Sequence, residues 1–221
     1  MSTSRPVRPR HAASLVLLRR SAAGTEVLMG RRPAKAVFPE AYVFPGGRLD
    51  PSDANVSPSA PLTSDVLEEL RVHGGCTPQL ARALATAAIR ETFEETGLLL
   101  AASGDPGAPH GPWAAFKARG MAPAHDRLRF LGRAITPASA PVRFHARFFV
   151  ADGESVEGVI VGNGELSNLR WYRLDEARQL PAIDVTQFVL TEIAANERGR
   201  VRIAPFFRYR RNRPLAKSAD A

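Results

Sequence analysis

Apolar residues along the chain fall into short runs, several of them alternating with polar residues, which is the pattern of β-strands in a packed sheet. Near the start, Ala13–Arg20 and Thr25–Arg32 are predicted to be two strands joined by the turn at Ala22–Gly24. Ala41–Phe44 is predicted to be a third strand, and Pro45–Gly47 to break it off sharply. Later strands are predicted over Leu98–Ala101, Leu128–Ile135, Val142–Ala151, Val156–Val161 and Leu169–Arg173.

Helix signals are clearest in the middle of the chain. Thr77 can cap a helix that has proline at its first position, and Gly97 can end it. A helix is therefore predicted over Pro78–Thr96. Shorter helical segments are predicted over Asp65–Val72 with Ser64 as its cap, Trp113–Ala118, Asp175–Gln179 and Thr186–Glu197.

Helices interspersed with strands exclude all-α and all-β folds and predict an α/β domain. The 221 residues, 44% of them apolar, suffice for one domain with a sizeable core. We place this domain at residues 12–213, between a basic N-terminal tail (1–11) and a flexible C-terminal tail (214–221). Within it, Asp50–Thr77 is rich in Pro, Ser, Asp and Thr and is predicted to be an inserted loop.

Several features predict a cytoplasmic protein. No apolar run approaches the roughly 18 residues that a membrane-spanning helix needs. Ala12–Leu18 follows a basic tail but is short for a signal peptide, which favours a strand. The single cysteine, Cys76, excludes an internal disulfide and a cysteine zinc cluster, so a reducing compartment is expected.

Arginine dominates the charge of the chain. Of 30 basic residues only Lys35, Lys117 and Lys217 are lysines, and the net charge is +8. Guanidinium groups bind phosphate oxygens bidentately, so this composition favours nucleotide or nucleic-acid ligands. A codon bias toward arginine and alanine explains the same counts equally well.

A basic and aromatic segment follows Glu197. It fits nucleic-acid binding, binding of nucleotide phosphates, or aromatic packing with solvent-facing arginines, and the last is favoured. Nucleic acid is therefore not the favoured partner. The segment contains Arg198, Arg200, Arg202, Arg208, Arg210, Arg211 and Arg213, interleaved with Phe206, Phe207 and Tyr209.

The central helix carries a cluster of acids. At about 100° per residue, Glu91, Glu94 and Glu95 share one face, and Ile89 and Phe93 point to the other side. Like charges at this spacing destabilise a helix by a few tenths of a kcal/mol per pair, so helix stability does not explain the cluster. A bound Mg²⁺ or Mn²⁺ does explain it, because both are hard cations that prefer oxygen ligands.

The surrounding residues resemble the Nudix box, G-x5-E-x7-R-E-U-x-E-E-x-G-U. Arg90–Leu98 matches its second half and Gly47 begins its first half, with Asp53 at the position of the first glutamate. Thr92 stands where the family has an aliphatic residue. Between Gly47 and Arg90 lie 42 residues, which is 29 more than in the consensus.

This split box resembles the Nudix branch that contains the mammalian peroxisomal coenzyme A diphosphatase. The flanking segments Val43–Asp50, Ala88–Glu95 and Val142–Phe149 are similar to that branch as well. The resemblance spans about residues 12 to 200. It implies an α/β/α sandwich around a mixed central sheet, with the insertion at about residues 54–77.

The resemblance also implies a site. The metal ligands would be the main-chain carbonyl of Gly46 and the carboxylates of Glu91, Glu94 and Glu95. Arg90 would orient the acids by pairing with Asp53. A further acid often comes from a later loop, where Glu165 is the candidate and a solvated turn residue is an equal alternative. Glu94, Glu95 or Glu165 would act as the general base.

The implied reaction is metal-dependent hydrolysis of a diphosphate bond in a nucleoside diphosphate linked to another moiety. Coenzyme A or an acyl-coenzyme A heads the substrate candidates, and ADP-ribose and NADH are alternatives. A non-catalytic module of the same fold, binding nucleic acid or serving in regulation, is the alternative from another class. Formation of a homodimer stays open.

Overall fold

A computed structural model of the chain describes residues 7–36, 38–107, 110–140, 142–197, 205–210 and 213–217. The strands are β1 (Arg10–Ser21), β2 (Gly24–Arg31), β3 (Tyr42–Val43), β4 (Gly46–Arg48), β5 (Ala101–Ser103), β6 (Met121–Pro123), β7 (Arg129–Ile135), β8 (Phe144–Asp152), β9 (Ser167–Arg173), β10 (Phe206–Arg210) and β11 (Arg213–Lys217). The α-helices are α1 (Ser64–Val72), α2 (Pro78–Thr96), α3 (Trp113–Lys117), α4 (Leu174–Ala177) and α5 (Asp184–Glu197).

Nine of the described strands form one mixed sheet. Its main path is β11-β10-β7-β8-β1-β2-β3, and β4 and β9 pair with β1 and β2 respectively. β1 and β8 run parallel, as do β7 and β10, whereas the other neighbours are antiparallel. A separate two-stranded sheet joins β5 and β6.

The large sheet separates two apolar cores, because alternate side chains of a strand point to opposite faces. On β1, Leu15 and Leu17 belong to the core that includes α1 and α2, whereas Val16 belongs to the core that includes α4 and α5. The mixed α/β architecture predicted from the sequence is therefore confirmed, with helices on both faces of the sheet. None of the helices described is long and apolar enough to cross a membrane.

Helix α2 has the predicted bounds. Thr77 Oγ1 accepts a hydrogen bond of 3.2 Å from the Leu80 N–H, and Gly97 ends the helix in the left-handed conformation with φ 77°. Several alanines occupy buried positions of α2 and allow its close packing on β1. This packing places the acidic C-terminal end of α2 next to β4, the strand that contains Gly46 and Gly47.

The insertion is a folded part of the domain and not only a loop. Its helix α1 begins at Ser64 and is capped by Thr63, so the predicted cap at Ser64 was wrong by one residue. Val66 and Leu70 lie in the same core as α2. The insertion therefore contributes to the stability of the sheet face that supports the acidic helix.

Replacing Leu70 by alanine is expected to destabilise the domain by about 2 to 5 kcal/mol, because Leu70 is completely buried and alanine leaves a cavity. Val72→Ala, at an exposed position of the same helix, is the matched control and should change stability by less than about 0.5 kcal/mol. Denaturant unfolding measures both. Equal effects would show that the insertion does not pack as described.

Some predicted elements differ from the structure. Pro45–Gly47 was predicted to end the third strand, but Gly46 and Gly47 belong to a further strand, β4, which pairs with β1. Leu98–Ala101 is not a strand; β5 begins only at Ala101. Val156–Val161 forms no strand, and only Glu157 bridges to Leu99. Apolar composition identifies such extended segments, but pairing depends on distant partners.

The terminal segments differ too. β1 begins inside the predicted basic tail, and β11, which pairs with β10, overlaps the predicted flexible tail 214–221. The prediction for the segment after Glu197 falls partly on Arg198, Arg200, Arg202 and Arg211, which lie outside the described residues.

Candidate active site

The three acids of α2 face a cavity of about 680 Å³. Glu95 is buried, and Glu91 and Glu94 are partly buried. Gly46 and Gly47 of β4 also line this cavity, as does Glu165 from the turn before β9. The structure therefore brings together the residues that the sequence analysis singled out from three distant segments.

The glycine pair allows β4 to approach α2 closely. The Gly46 N–H donates a hydrogen bond of 3.0 Å to Glu95 Oε2. Gly46 has φ 154°, and a Cβ there would lie 2.5 Å from the carbonyl oxygen of Ala13. A Cβ on Gly47 would overlap the carboxylate of Glu91. Glycine is therefore needed at both positions, for different contacts.

Arg90 forms hydrogen bonds with several carboxylates on the acidic face of α2 and beside it. Its Nε and Nη2 donate to the two carboxylate oxygens of Asp53 at 2.8 and 3.0 Å. Its Nη1 donates to Glu91 at 2.9 Å and to Glu94 at 2.8 Å, and Nη2 also donates to the Arg48 carbonyl at 3.0 Å. The Arg90 and Asp53 pair expected from the resemblance is present, despite the shorter acid.

Asp53 reaches Arg90 because of local structure at the start of the insertion. A 3₁₀ helix, Pro51–Asn55, is capped by Asp50, whose N–H donates a hydrogen bond of 2.8 Å to Asp53 Oδ2. The Asp53 side chain is completely buried in this arrangement. The Arg48 carbonyl and Asp53, which both precede residues 54–77, thus bind the guanidinium of Arg90, which follows them, so the insertion leaves the two halves of the box together.

The electrostatics of the acids follow from their burial. Burial raises the pKa of Glu95 to about 8, with the charges of Glu91 and Glu165 adding to the shift and the Gly46 N–H opposing it. Burial also raises the pKa of Glu91, against the effect of Arg90. Burial alone would lower the pKa of Arg90, but hydrogen bonds and charges of Asp53 and Glu91 raise it.

The donor chemistry fits a hard divalent cation. Carboxylate oxygens of Glu91 and Glu95 and the main-chain carbonyl of Gly46 are the ligand types that Mg²⁺ and Mn²⁺ take. In the described part of the chain, no three acidic, His or Cys side chains form a metal cluster by themselves. A cation here would therefore complete its shell with main-chain, substrate or water oxygens, as Mg²⁺ commonly does.

Glu165 differs from the acids of α2. It is exposed on the rim of the cavity, and its N–H donates 2.9 Å to Asn163 Oδ1 within the turn. Its charge is nonetheless felt by Glu95. Both readings given to Glu165 from the sequence therefore stay predictions.

The sequence analysis missed the aromatic wall of the cavity. Phe207 is buried and packs on Phe188 at 5.1 Å and Tyr209 at 5.4 Å between ring centroids, in agreement with the aromatic packing favoured for its segment, but its place beside the acids was not predicted. The alternation of aromatic residues along β8 and β10 was the available signal. The wall comprises Phe44, Phe144, Phe148, Phe207 and Tyr209. Trp113, in contrast, is buried against Phe116.

Gly47→Ala is expected to lower kcat by about 10- to 100-fold with little loss of stability. The three atoms nearest to the new Cβ all belong to the Glu91 carboxylate at the end of its side chain, which would shift and lose its place beside Arg90. Gly162→Ala, near Glu95 with only ordinary contacts, is the control. Steady-state kinetics and thermal unfolding distinguish the two effects, and an unimpaired Gly47→Ala enzyme would contradict the expectation.

Comparisons with known proteins concern the sequence and the fold of the chain as a whole. The sequence model of the NUDIX domain matches residues 74–191, a range that contains the acids of α2 but begins after Gly46 and Gly47. A NUDIX hydrolase from Alicyclobacillus acidocaldarius is 33% identical, with 85% of this chain and 92% of that chain covered and a TM-score of 0.63.

A second neighbour shares the fold at low identity. The NUDIX domain of Shewanella oneidensis NrtR, solved with ADP ribose, is 14% identical, with 89% and 94% of the two chains covered and a TM-score of 0.51. No curated protein matches the chain.

Proposed function

Because the chain belongs to the Nudix hydrolase family, we propose that it is a metal-dependent diphosphatase. Its substrate would be a nucleoside diphosphate linked to a second moiety, with coenzyme A or acyl-coenzyme A as the first candidate. The observation that supports this most is the convergence of Glu91, Glu94 and Glu95 with Gly46 on one cavity. Its volume of about 680 Å³ suits a nucleotide-sized ligand.

The acids, Gly46 and Arg90 have separate proposed roles in this reaction. Glu91, Glu95 and the Gly46 carbonyl would hold Mg²⁺ or Mn²⁺, with Glu94 as a further ligand. When bound, the ion supplies Lewis acidity that polarises the diphosphate and lowers the pKa of a bound water. Arg90 fixes Glu91 and Glu94 from behind, so the acids are positioned before substrate arrives.

A carboxylate must take the proton of the attacking water. Glu94, Glu95 and Glu165 all border the cavity and are the candidates. Glu94 already accepts a hydrogen bond from Arg90, Glu95 accepts one from the Gly46 N–H, and Glu165 is exposed. Comparing kcat of the three single Gln variants over a range of pH would assign the base.

The choice of coenzyme A rests on the split box and its flanking segments. The aromatic wall supports a ligand with a sizeable apolar part beside its diphosphate, which both coenzyme A and its acyl esters have. ADP-ribose and NADH share the diphosphate and remain the alternative substrates.

The test is a comparison of kcat/KM for coenzyme A, ADP-ribose and NADH at one concentration of Mg²⁺ or Mn²⁺. We expect phosphorylated products when the metal is present and none after its chelation. We expect the highest kcat/KM for coenzyme A. A preference for ADP-ribose or NADH would reject coenzyme A but keep the hydrolase. Binding of nucleic acid without turnover of any substrate would favour the non-catalytic alternative.

A further inference from the structure

A second cavity of about 620 Å³ adjoins the first on the other side of Glu91. Glu91 and Arg48 line both cavities. The two linings differ in chemistry, because the first cavity has an aromatic wall beside its acids, whereas the second contains Arg8, Arg10 and His11. A ligand whose diphosphate lies at Glu91 can therefore extend into both cavities.

The second cavity has an excess of unneutralised positive charge. Within the described residues, Arg8, Arg10 and Arg48 form no ion pair. The carboxylate of Asp50, which also lines this cavity, accepts hydrogen bonds from the N–H and hydroxyl of Ser52. Arg90 is already paired with its acids. Three guanidinium groups that pair with no carboxylate of the described residues, around one concave surface, favour a multiply charged anion.

The backbone that carries these arginines is held by the sheet. Arg48 lies on β4 opposite Ala12 of β1. The Arg10 N–H donates 2.9 Å to the Arg143 carbonyl, and Arg143 Nη1 donates 2.7 Å to the Val7 carbonyl. The segment that carries Arg8 is thus anchored at both ends, so its side chain starts from a defined position.

A buried cation lies behind His11. Arg147 is fully buried and donates to His11 Nδ1 at 2.9 Å and to the carbonyls of His145 and Gly74 at 2.8 and 3.1 Å. No carboxylate of the described residues pairs with it. Because arginine only donates, His11 accepts here and is neutral on that nitrogen. Arg147 therefore adds positive potential behind His11, which offsets part of the negative charge of Asp50 and Glu91 in the lining.

We propose that the second cavity is a phosphate subsite, in which Arg8, Arg10 and Arg48 bind a phosphate monoester that the substrate carries besides its diphosphate. The inference rests on the proposed function, since it assumes a diphosphate placed at Glu91. It narrows the substrate class to nucleotides with an additional phosphate on the ribose. The apolar moiety then occupies the aromatic cavity, and the phosphorylated end occupies the basic one.

The test uses two substrates that differ only in that phosphate, coenzyme A and dephospho-coenzyme A. For the unmodified enzyme we expect kcat/KM to favour coenzyme A by about tenfold or more, as for loss of one charge-assisted contact. The double variant Arg8→Gln with Arg10→Gln should reduce this ratio to within about twofold and leave kcat/KM for dephospho-coenzyme A nearly unchanged.

Two further measurements separate this proposal from its alternatives. The control Arg20→Gln with Arg129→Gln removes the same charge from exposed strand arginines without ion pairs and should keep the ratio. Calorimetry with adenosine 3′,5′-bisphosphate and with AMP reports the subsite without turnover. Tighter, arginine-dependent binding of the bisphosphate by a protein that hydrolyses nothing would retain the subsite and reject the proposed function.

The proposal is overturned by any of three results. One is an equal kcat/KM for the two coenzymes together with equal binding of the two mononucleotides. Another is an equal decrease, in the control variant, of the ratio of kcat/KM for coenzyme A to kcat/KM for dephospho-coenzyme A, which would indicate a general charge effect. The third is loss of single-stranded RNA binding in the Arg8 and Arg10 variant with an unchanged coenzyme ratio, which would assign the surface to nucleic acid.

Discussion

Glu95→Gln is expected to lower kcat by about 10²- to 10⁴-fold, the range associated with loss of a general base or a metal-binding carboxylate. The amide keeps the size of the side chain and can still accept the hydrogen bond from the Gly46 N–H. Because Glu95 is a buried carboxylate with a raised pKa, its neutral replacement should not destabilise the fold. Kinetics with Mg²⁺ or Mn²⁺ and thermal unfolding measure the two effects.

Glu94→Gln should also cause a severe loss, with weakened metal affinity in both variants. Glu154→Gln, at an exposed position far from α2 in sequence, is the matched control and should be near normal. Titration of activity with metal separates weaker binding from a slower chemical step. Near-normal turnover of both variants, with unchanged dependence on metal, would reject the roles proposed for these acids.

Arg90→Gln is expected to cost about 3 to 5 kcal/mol of unfolding free energy, the range for breaking one partner out of a buried ion pair. Asp53 would remain completely buried with its charge unpaired. Activity should fall as well, because Glu91 and Glu94 lose the hydrogen bonds that orient them. Denaturant unfolding of the purified variant measures the stability change.

Replacing the partner residue Asp53 should lower the unfolding free energy less than replacing Arg90, and this difference between the two variants is the sharper test. Asp53→Asn leaves Arg90 paired with Glu91 and Glu94, so its charge stays compensated. The double variant Arg90→Gln with Asp53→Asn should be more stable than the sum of the two single changes in unfolding free energy indicates, since no buried carboxylate is then left without a partner. Additive effects in this cycle would show that Asp53 and Arg90 do not interact as the structure indicates.

Local signals were enough to predict the acidic helix. Thr77, Pro78 and Gly97 act on the backbone within one turn of their own positions, so the bounds of Pro78–Thr96 followed from neighbouring residues alone. The spacing of Glu91, Glu94 and Glu95 placed them on one face for the same reason. Even the unusual Thr92 has a local explanation, because its hydroxyl donates 2.8 Å to the Ala88 carbonyl one turn earlier.

Elements that depend on distant partners were predicted less well. β4 and β11 gain their hydrogen bonds from β1 and β10, and neither segment has the apolar alternation that marks a strand. Val156–Val161 has that composition but finds only one bridge, at Glu157. Helix α1 was predicted, but its burial through Leu70 against the core was not.

The sequence by itself determined the fold class, the acidic helix and the family resemblance, because these depend on periodicity and on residues close together along the chain. Only the tertiary structure decided that Asp53 reaches Arg90 across the insertion, that Gly46 donates to Glu95, and that two cavities, one with an aromatic wall and one rich in arginine, share Glu91 in their linings. These contacts join segments tens of residues apart. Their geometry depends on how the sheet and helices pack, which spacing along a single chain does not specify.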